Sequence, residues 1–345
     1  MGYKYIPYTF ANSNNPVAYF DFRPVMSYGT SIVGAIGARR IGKTFSAKKY
    51  CLKKSIGTDI KFAWLRDNDE ARKKLASNNG AKFFSDCKKM GFKDLVGSIE
   101  GETIKANGQV VGYLMPSSTF QNYKGNDFED IKIIVYDEFI AEKNTRHNAN
   151  RAWEIINMLY TIASTRKDVR IIFLANALDR GDEILELLGI KIKEFGIYVN
   201  REKSVAFHYC DNHPDFNKER DTSIMGKIIK GTQYEANLFN NKFADDEQMF
   251  FDKRPAKCKL LCILHNYSSS IRLYIKDGIM YVCRDFNVES NPTIRYVNDI
   301  ELTDTKHHLI PKTYLDAIKQ AFITKRAFFE NAFTKNTFIE IIKKR

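Results

Sequence analysis

The chain has 345 residues, and because single domains average about 150 residues, this length predicts two domains. Hydrophobic residues make up 44% of the chain and charged residues 28%, which excludes an intrinsically disordered protein, while 19 Gly and 8 Pro exclude collagen-like and low-complexity chains. Lys plus Arg (54) exceed Asp plus Glu (41), and the net charge of +13 favours a polyanionic partner such as nucleic acid, although solubility alone is an equal explanation.

The N-terminal half alternates strand patterns with helix patterns, which is typical of a parallel sheet with crossover helices. The predicted strands are 31–36, 60–65, 131–136, 169–175 and 205–209. The predicted helices are 43–54, 68–77, 84–90 and 152–164, and a hairpin covers 98–115. We therefore expect an α/β fold with a mainly parallel sheet.

The C-terminal half has a different pattern. Residues 210–254 are polar and charged, which indicates a linker or small subdomain. Three strands follow at 259–265, 271–276 and 279–283, and two helices at 312–327 and 336–344 end the sequence. The predicted organisation is an N-terminal domain at 1–209, the linker at 210–254 and a C-terminal α+β domain at 255–345.

No segment predicts a membrane span or a zinc site. The longest apolar runs, such as 133–136 and 171–175, are far shorter than the roughly 20 residues that a membrane helix needs. The N-terminus MGYKYIPYTF lacks the pattern of a secretory signal. The six cysteines have no zinc-ligand spacing, so we expect reduced thiols in a cytoplasmic protein without a membrane partner.

The strongest motif is a complete G-x-x-x-x-G-K-T sequence between a predicted strand and a predicted helix. Glycines in such a loop let backbone amides turn towards phosphate groups, and the start of the helix adds positive charge. Lys43 is expected to reach the β- and γ-phosphates of ATP, and the Thr44 hydroxyl to bind Mg²⁺. The predicted nucleotide-binding residues are Gly37, Ala38, Arg39, Arg40, Ile41, Gly42, Lys43 and Thr44.

A second motif, Ile133-Ile134-Val135-Tyr136-Asp137-Glu138, places two acids after an apolar strand. An acid at the end of a buried strand suits a Walker B site, in which Asp137 holds Mg²⁺ through its water shell. Glu138 would then orient and polarise the attacking water, which favours ATP hydrolysis. Alone, such a run often marks only the end of a strand, and its pairing with the phosphate loop makes the hypothesis persuasive.

Weaker candidates are suggested by their positions in the chain. Asn176 ends the predicted strand at 169–175, where an amide can sense the γ-phosphate, although an Asn in an ordinary turn is the commoner case. Hydrolysis also needs positive charge near the γ-phosphate, often supplied by a neighbouring subunit. Arg166, Arg170 and Lys124 are the candidates, and for each of them a solvated surface charge is an equal alternative.

The C-terminal region lacks the acids that a nuclease needs. A two-metal nuclease brings several carboxylates together at strand ends. No acid occurs between Cys258 and Ser270, and Asp285, Asp299 and Glu301 form no recognisable set. We therefore expect that this region does not cut DNA.

Four sequence segments together resemble one known family: GARRIGKT, VYDEFIAEK, a strand ending LANA, and GTQYEANLFNNKF before the strand meander. This pattern is similar to the genome-packaging (encapsidation) ATPases of phi29-like podophages. The resemblance implies a P-loop ATPase domain of the ASCE group. It also implies a C-terminal domain that resembles an RNase H-like nuclease without its catalytic acids.

The resemblance further implies partners and residue roles. Members of the family form rings, usually pentameric, on the portal vertex of an empty prohead and drive double-stranded DNA inward. The expected location is the host cytoplasm with transient docking on the viral prohead, and a packaging RNA is a further candidate partner. Lys124 falls on a basic position that acts on a neighbour's nucleotide, and Arg166 is the closest match to the arginine finger.

The sequence thus favours an ATP-driven translocase of double-stranded DNA, with ATP and Mg²⁺ as cofactors, and leaves two alternatives open. A terminase-type packaging enzyme with an active C-terminal nuclease would cut DNA when a divalent metal is present. A nucleotide-binding scaffold would bind ATP with little turnover at every protein concentration.

Overall fold

The computed structural model describes residues 3–7, 20–118, 128–140, 151–176, 182–232, 249–251, 253–266, 269–285 and 295–343. The chain forms two compact units. The first lies within Met1–His147, Arg151–Leu178 and Leu188–Phe243, and the second within Asn148–Asn150, Asp179–Leu187 and Ala244–Arg345. The chain therefore enters the second unit before the first is complete. The domain limits predicted from the sequence, 1–209, 210–254 and 255–345, stay a prediction.

The described strands of the first unit are β1 (Tyr3–Pro7), β2 (Ile32–Gly37), β3 (Lys61–Arg66), β4 (Gly97–Glu100), β5 (Thr103–Ala106), β6 (Gln109–Pro116), β7 (Ile131–Asp137), β8 (Arg170–Asn176), β9 (Gly196–Asn200) and β10 (Val205–Tyr209). They form one ten-stranded sheet in the order β1-β9-β10-β2-β8-β7-β3-β6-β5-β4. The central series from β10 to β6 is parallel, and the strands outside it pair antiparallel. This arrangement confirms the predicted α/β fold.

The described helices of both units are α1 (Arg23–Met26), α2 (Lys43–Ser55), α3 (Asp69–Phe84), α4 (Cys87–Met90), α5 (Arg151–Ala163), α6 (Glu183–Leu187), α7 (Pro214–Thr222), α8 (Ile224–Ile229), α9 (Lys312–Ile323) and α10 (Ala332–Lys343). Helix α3 is interrupted, because Asn78, Asn79 and Gly80 have left-handed backbone with φ of 51°, 57° and 78°. Asn and Gly tolerate that region best. The break explains why the sequence predicts a helix that ends at Ser77. None of the described helices has the length and apolar character that a membrane crossing requires.

Strand β8 lies between β2, which leads into the phosphate-loop motif, and β7, which ends in the acid pair. The register pairs Gly37 with Asn176 and Asp137 with Leu174. Parallel strands present their carboxyl ends at one edge of a sheet, and ligands of open α/β sheets bind outside that edge. The strand order therefore brings the ends of both motifs to one edge, as the predicted ASCE arrangement requires.

The second unit has its own sheet and apolar core. Its strands are β11 (Lys259–His265), β12 (Ser270–Lys276), β13 (Ile279–Arg284), β14 (Arg295–Val297), β15 (His307–Leu309) and β16 (Ala327–Phe329), in the order β15-β14-β11-β12-β13-β16. The first three form the predicted antiparallel meander. Leu315 of α9 and Phe338 of α10 share a core with Leu273 and Val282 of the sheet. Helix α6 also belongs here, and its Glu186 pairs with Arg284 at 3.0 Å.

Two strands of the first unit have no counterpart in the sequence prediction. β1 pairs with β9, and β9 pairs with β10, at the edge of the sheet. Strand β1 is largely exposed, so it lacks the buried apolar run that reveals a central strand. All six cysteines are free, as the sequence predicts.

A glycine in the middle of β2 provides a test of this packing. Gly34 lies beside Phe207 of β10, and a methyl group on Gly34 would overlap the fully buried Phe207 ring. We expect Gly34→Ala to lower the free energy of unfolding of the first unit by about 1–3 kcal/mol, the usual effect of overpacking. Urea unfolding followed by tryptophan fluorescence measures it, because Trp64 and Trp153, the two tryptophans of the chain, both lie in the first unit.

The matched control combines Gly34→Ala with Phe207→Leu, since leucine lacks the ring atoms that the methyl group would meet. The two substitutions should be less destabilising together than the sum of their separate effects. Strict additivity would contradict a steric origin.

Candidate active site

The phosphate loop joins β2 to α2 with a curved backbone. Arg40 and Gly42 both have left-handed conformations, with φ of 67° and 98°. Ala38 and Ile41 are buried, whereas Arg39 and Arg40 are exposed. Successive residues of alternating hand turn their backbone amides to one side, which makes a concave site for anions. The loop thus has the backbone of a phosphate-binding turn at the start of a helix.

Lys43, the first residue of α2, is buried at the base of the loop. Its Nζ donates hydrogen bonds to the carbonyl oxygens of Gly37 at 2.8 Å and Ala38 at 2.6 Å. A longer contact of 3.4 Å joins it to Oδ1 of Asn176. Burial lowers the pKa of Lys43 to about 8. A nearby anion would therefore stabilise the charged form of this buried ammonium group.

Asp137 is the last residue of β7. It faces Thr44, which follows Lys43 in the phosphate-loop motif. The Oγ1 atom of Thr44 lies 3.3 Å from Oδ1 of Asp137, and an Nη atom of Arg66 lies 3.1 Å from Oδ2. Burial raises the pKa of Asp137, and the positive charge of Arg66 opposes that shift. Both carboxylate oxygens of this buried acid therefore have partners from other strands or helices.

Glu138 follows Asp137 and is oriented differently. Its backbone is left-handed with φ of 63°, and its side chain is 59% exposed. One carboxylate oxygen of Glu138 accepts a hydrogen bond from Arg66 at 2.5 Å. Arg66, only 16% exposed, therefore binds both members of the acid pair.

Arg66 is a site residue that the sequence prediction missed. It ends β3, one position beyond the predicted strand at 60–65. Strand β3 lies next to β7, and the register pairs Leu65 with Tyr136. A cation directly after a buried strand was the available signal, but only the strand order shows that Arg66 meets the acids.

The structure brings Asn176 to the site and places Arg166 elsewhere. Arg166 donates to the backbone carbonyls of Phe128, at 2.7 Å, and Ile131, and pairs with Asp168 at 3.2 Å. Because Ile131 begins β7, Arg166 lies at the opposite edge of the sheet from the acid pair. Its role in a neighbouring subunit's site stays a prediction. Lys124 lies outside the described residues.

Comparison with known proteins agrees with this geometry. The podovirus DNA encapsidation protein (Gp16) family matches residues 15–345 of the sequence. The chain belongs to this family. The predictions of family, of ATPase fold and of a viral DNA-packaging ATPase are thereby confirmed.

Individual relatives match along nearly their whole length. The DNA packaging protein of Bacillus phage phi29 is 25% identical over 340 residues, which cover 94% of this chain and 97% of that protein. The DNA packaging protein of Bacillus phage B103 is 24% identical over 329 residues, which cover 93% and 99%. The bacteriophage Phi-29 viral genome packaging motor assembly matches in structure with a TM-score of 0.70 at 22% identity, covering 95% of this chain and 99% of that chain.

The lowered pKa of Lys43 predicts how nucleotide binding of this encapsidation protein depends on pH. An uncharged amine does not attract phosphate, and bound phosphate raises the pKa of Lys43. Affinity for ADP should therefore fall as pH rises above about 8, by up to about tenfold per pH unit. Calorimetric titration with ADP between about pH 7 and pH 10, without divalent metal, measures this dependence.

The control for this titration is Lys43→Arg, because a guanidinium group stays charged throughout this pH range. Whatever its affinity at neutral pH, this variant should show no fall between pH values of about 8 and 10. An equal fall in both proteins would show that Lys43 is not the titrating group.

Removal of Arg66 should destabilise the first unit. Arg66→Ala leaves Asp137 buried without its guanidinium partner, which we expect to lower the free energy of unfolding by about 2–3 kcal/mol. Arg23→Ala is the control, since Arg23 pairs with Asp21 at 2.5 Å but is 79% exposed and should cost less than about 1 kcal/mol. Equal losses in urea unfolding would contradict a structural role for the buried pair.

Proposed function

We propose that this chain hydrolyses ATP and uses that energy to move double-stranded DNA into a viral prohead. The observation that carries the proposal is the 3.3 Å approach of Thr44 Oγ1 to Asp137 Oδ1 at the edge where the phosphate loop ends. A hydroxyl and a carboxylate at this distance from each other, beside a buried lysine, fit a nucleotide whose phosphates carry a metal ion. Family membership supports the DNA-packaging part.

The donor set fits Mg²⁺. Hydroxyl and carboxylate oxygens are the hard ligands that Mg²⁺ prefers, and Thr44 and Asp137 supply one of each. Burial raises the pKa of Asp137, so an adjacent cation would favour its ionised form. When bound, Mg²⁺ would neutralise charge that develops on the phosphates.

Lys43 would exchange partners when ATP binds. Its ammonium group donates to the carbonyls of Gly37 and Ala38, which are neutral acceptors. Phosphate oxygens carry negative charge, and hydrogen bonds to a charged acceptor are about twice as strong. The exchange therefore favours binding of the phosphates.

Glu138 is the proposed general base, and Arg66 controls its position. Glu138 is bound to Arg66 at 2.5 Å, and this ion pair holds its carboxylate in place. Once released, Glu138 would accept a proton from the water whose oxygen attacks the γ-phosphorus, as the bond from phosphorus to the ADP oxygen breaks. Asn176, next to Lys43, would contact the γ-phosphate before this step and the separated phosphate after it.

In the proposal, assembly into a ring completes each site. Lys124 and Arg166 of one subunit would add positive charge at a neighbour's nucleotide, and Arg166 would exchange its backbone carbonyls for phosphate. The ring would be a pentamer docked on the portal of the prohead in the host cytoplasm, with a packaging RNA as a further candidate partner. The solved motor assembly of phage Phi-29 supports an assembled state. The net charge of +13 suits binding to DNA phosphates that weakens with salt.

We also propose that the C-terminal domain is a vestigial RNase H-like nuclease. Two observations support this. The region between Cys258 and Ser270 has no acid. The side chain of Asp285 is fully buried and forms ion pairs with Arg272 at 2.7 Å and Arg295 at 3.6 Å. These arginines balance the negative charge that a nuclease would use to hold a metal ion.

Steady-state ATPase activity against protein concentration, with and without double-stranded DNA, tests the proposed function. We expect the specific activity to rise with concentration or DNA, because neighbouring subunits complete the sites. Glu138→Gln should lose at least about 100-fold in turnover while it still binds ATP, the usual contribution of a general base. Arg166→Ala should lose the dependence on concentration.

A flat activity profile that ignores Arg166 would mean that each site is self-contained and would contradict the ring. Wild-type turnover in Glu138→Gln would refute the assignment of the base. Absence of turnover at every concentration, with DNA and proheads present, would favour a nucleotide-binding scaffold.

A further inference from the structure

Phe20 lies outside both motifs, and its backbone forms hydrogen bonds with two residues around the end of the phosphate loop. The N–H group of Phe20 donates to the carbonyl of Ile41 at 2.7 Å. The carbonyl of Phe20 accepts a hydrogen bond from the Ser46 hydroxyl at 2.6 Å. Ile41 and Ser46 flank Gly42, Lys43 and Thr44. Phe20 thus bridges the two ends of the segment that would hold the phosphates.

Phe20 is itself firmly held. Its side chain is 2% exposed and meets the ring of Phe22 edge-on, with ring centres 4.7 Å apart. The ring of His208 lies 5.7 Å away on strand β10, which pairs with β2. We call residues 20–22 the strap. Its two buried rings belong to the same apolar core as Ala38 and Ile41 of the loop.

The contact to Ile41 sets the direction of a phosphate-loop amide. None of the described residues has a cis peptide bond, and in a planar trans peptide the C=O and N–H groups point in opposite directions. The Ile41 carbonyl and the Gly42 N–H share one peptide plane. Because the Ile41 carbonyl points towards Phe20, the Gly42 N–H points away from the strap and is not used by it.

Ser46 contacts both the strap and the next peptide group of the loop, the one that joins Gly42 to Lys43. The Ser46 N–H donates to the Gly42 carbonyl at 2.9 Å as α2 begins, while the Ser46 hydroxyl binds the strap. Arg40 and Gly42 hold left-handed backbone, which for Arg40 costs energy. A loop in such a conformation needs outside support when no phosphate is bound.

We propose that the strap is a positioning element of the nucleotide site, with Phe20 and Ser46 as its positioning residues. They hold the phosphate loop in its binding conformation before a nucleoside diphosphate or triphosphate arrives. The inference rests on the proposed nucleotide binding. A preformed loop avoids the ordering that binding would otherwise require, so the strap acts on affinity.

The test is calorimetric titration of the full-length chain with ADP. Ser46→Ala removes the hydroxyl that binds Phe20 and should weaken ADP binding by about fivefold to tenfold. Ser46→Thr keeps a hydroxyl and should restore the affinity to within about twofold. Ser55→Ala is the matched control: Ser55 is buried in the same helix, and within the described residues its hydroxyl has no hydrogen-bond partner. It should bind ADP like the wild type.

Amide hydrogen exchange of the free protein gives a second readout. Ser46→Ala should exchange faster in peptides that cover 37–46, and Ser55→Ala should not. Phe20→Leu, which keeps apolar bulk but loses the contact with Phe22, should show a smaller increase in the same peptides. A merely structural substitution would change exchange across the sheet and leave no local difference.

Unchanged ADP affinity in Ser46→Ala would overturn the proposal, as would equal weakening in Ser55→Ala or failure of Ser46→Thr to restore binding. In each of these cases the wild-type chain binds ADP, so the proposed function survives. If the wild-type chain binds neither ADP nor ATP, both proposals fall.

Discussion

The site depends on the register of three parallel strands that end at one edge of the sheet. β2, β8 and β7 place Gly37, Asn176 and Asp137 within reach of one another because each strand is hydrogen-bonded to the next. A slip of one residue along β7 would turn Asp137 to the other face of the sheet. The separation between the phosphate loop and its acid is thus a property of the sheet and its buried side chains.

Burial and charge attraction have opposite effects on the ionisable side chains around this edge. Burial raises the pKa of Asp137 and lowers that of Lys43 and of Lys48, so burial works against the charged form of every one of them. The attraction between Asp137 and each of the two lysines opposes these shifts. Lys48 is held by the carbonyl of Phe83 at 2.9 Å and lies over the Phe83 ring. A buried cluster of this kind is sensitive to any added charge, which suits a site that alternates between nucleotide states.

The sequence revealed those parts of the site that are local in the chain. The phosphate loop and the acid pair are short motifs whose chemistry follows from adjacent residues, and the structure brings them together. Arg66 could not be found in that way, because its contact with Glu138 depends on β3 lying next to β7. Strand β1 escaped prediction because its partner β9 is nearly 200 positions away and it buries little surface. Family resemblance supplied what local patterns lack, including the candidate role of Arg166.

The backbone of Glu138 has an evolutionary consequence. A glutamate with φ of 63° occupies a region where glycine and asparagine are far more comfortable. Folding alone would therefore favour one of those two residues at the end of β7, and only selection for the carboxylate can retain a glutamate there. In descendants released from that selection, position 138 should drift towards glycine or asparagine early. Such a drift would mark loss of the motor's chemistry before the sheet itself decays.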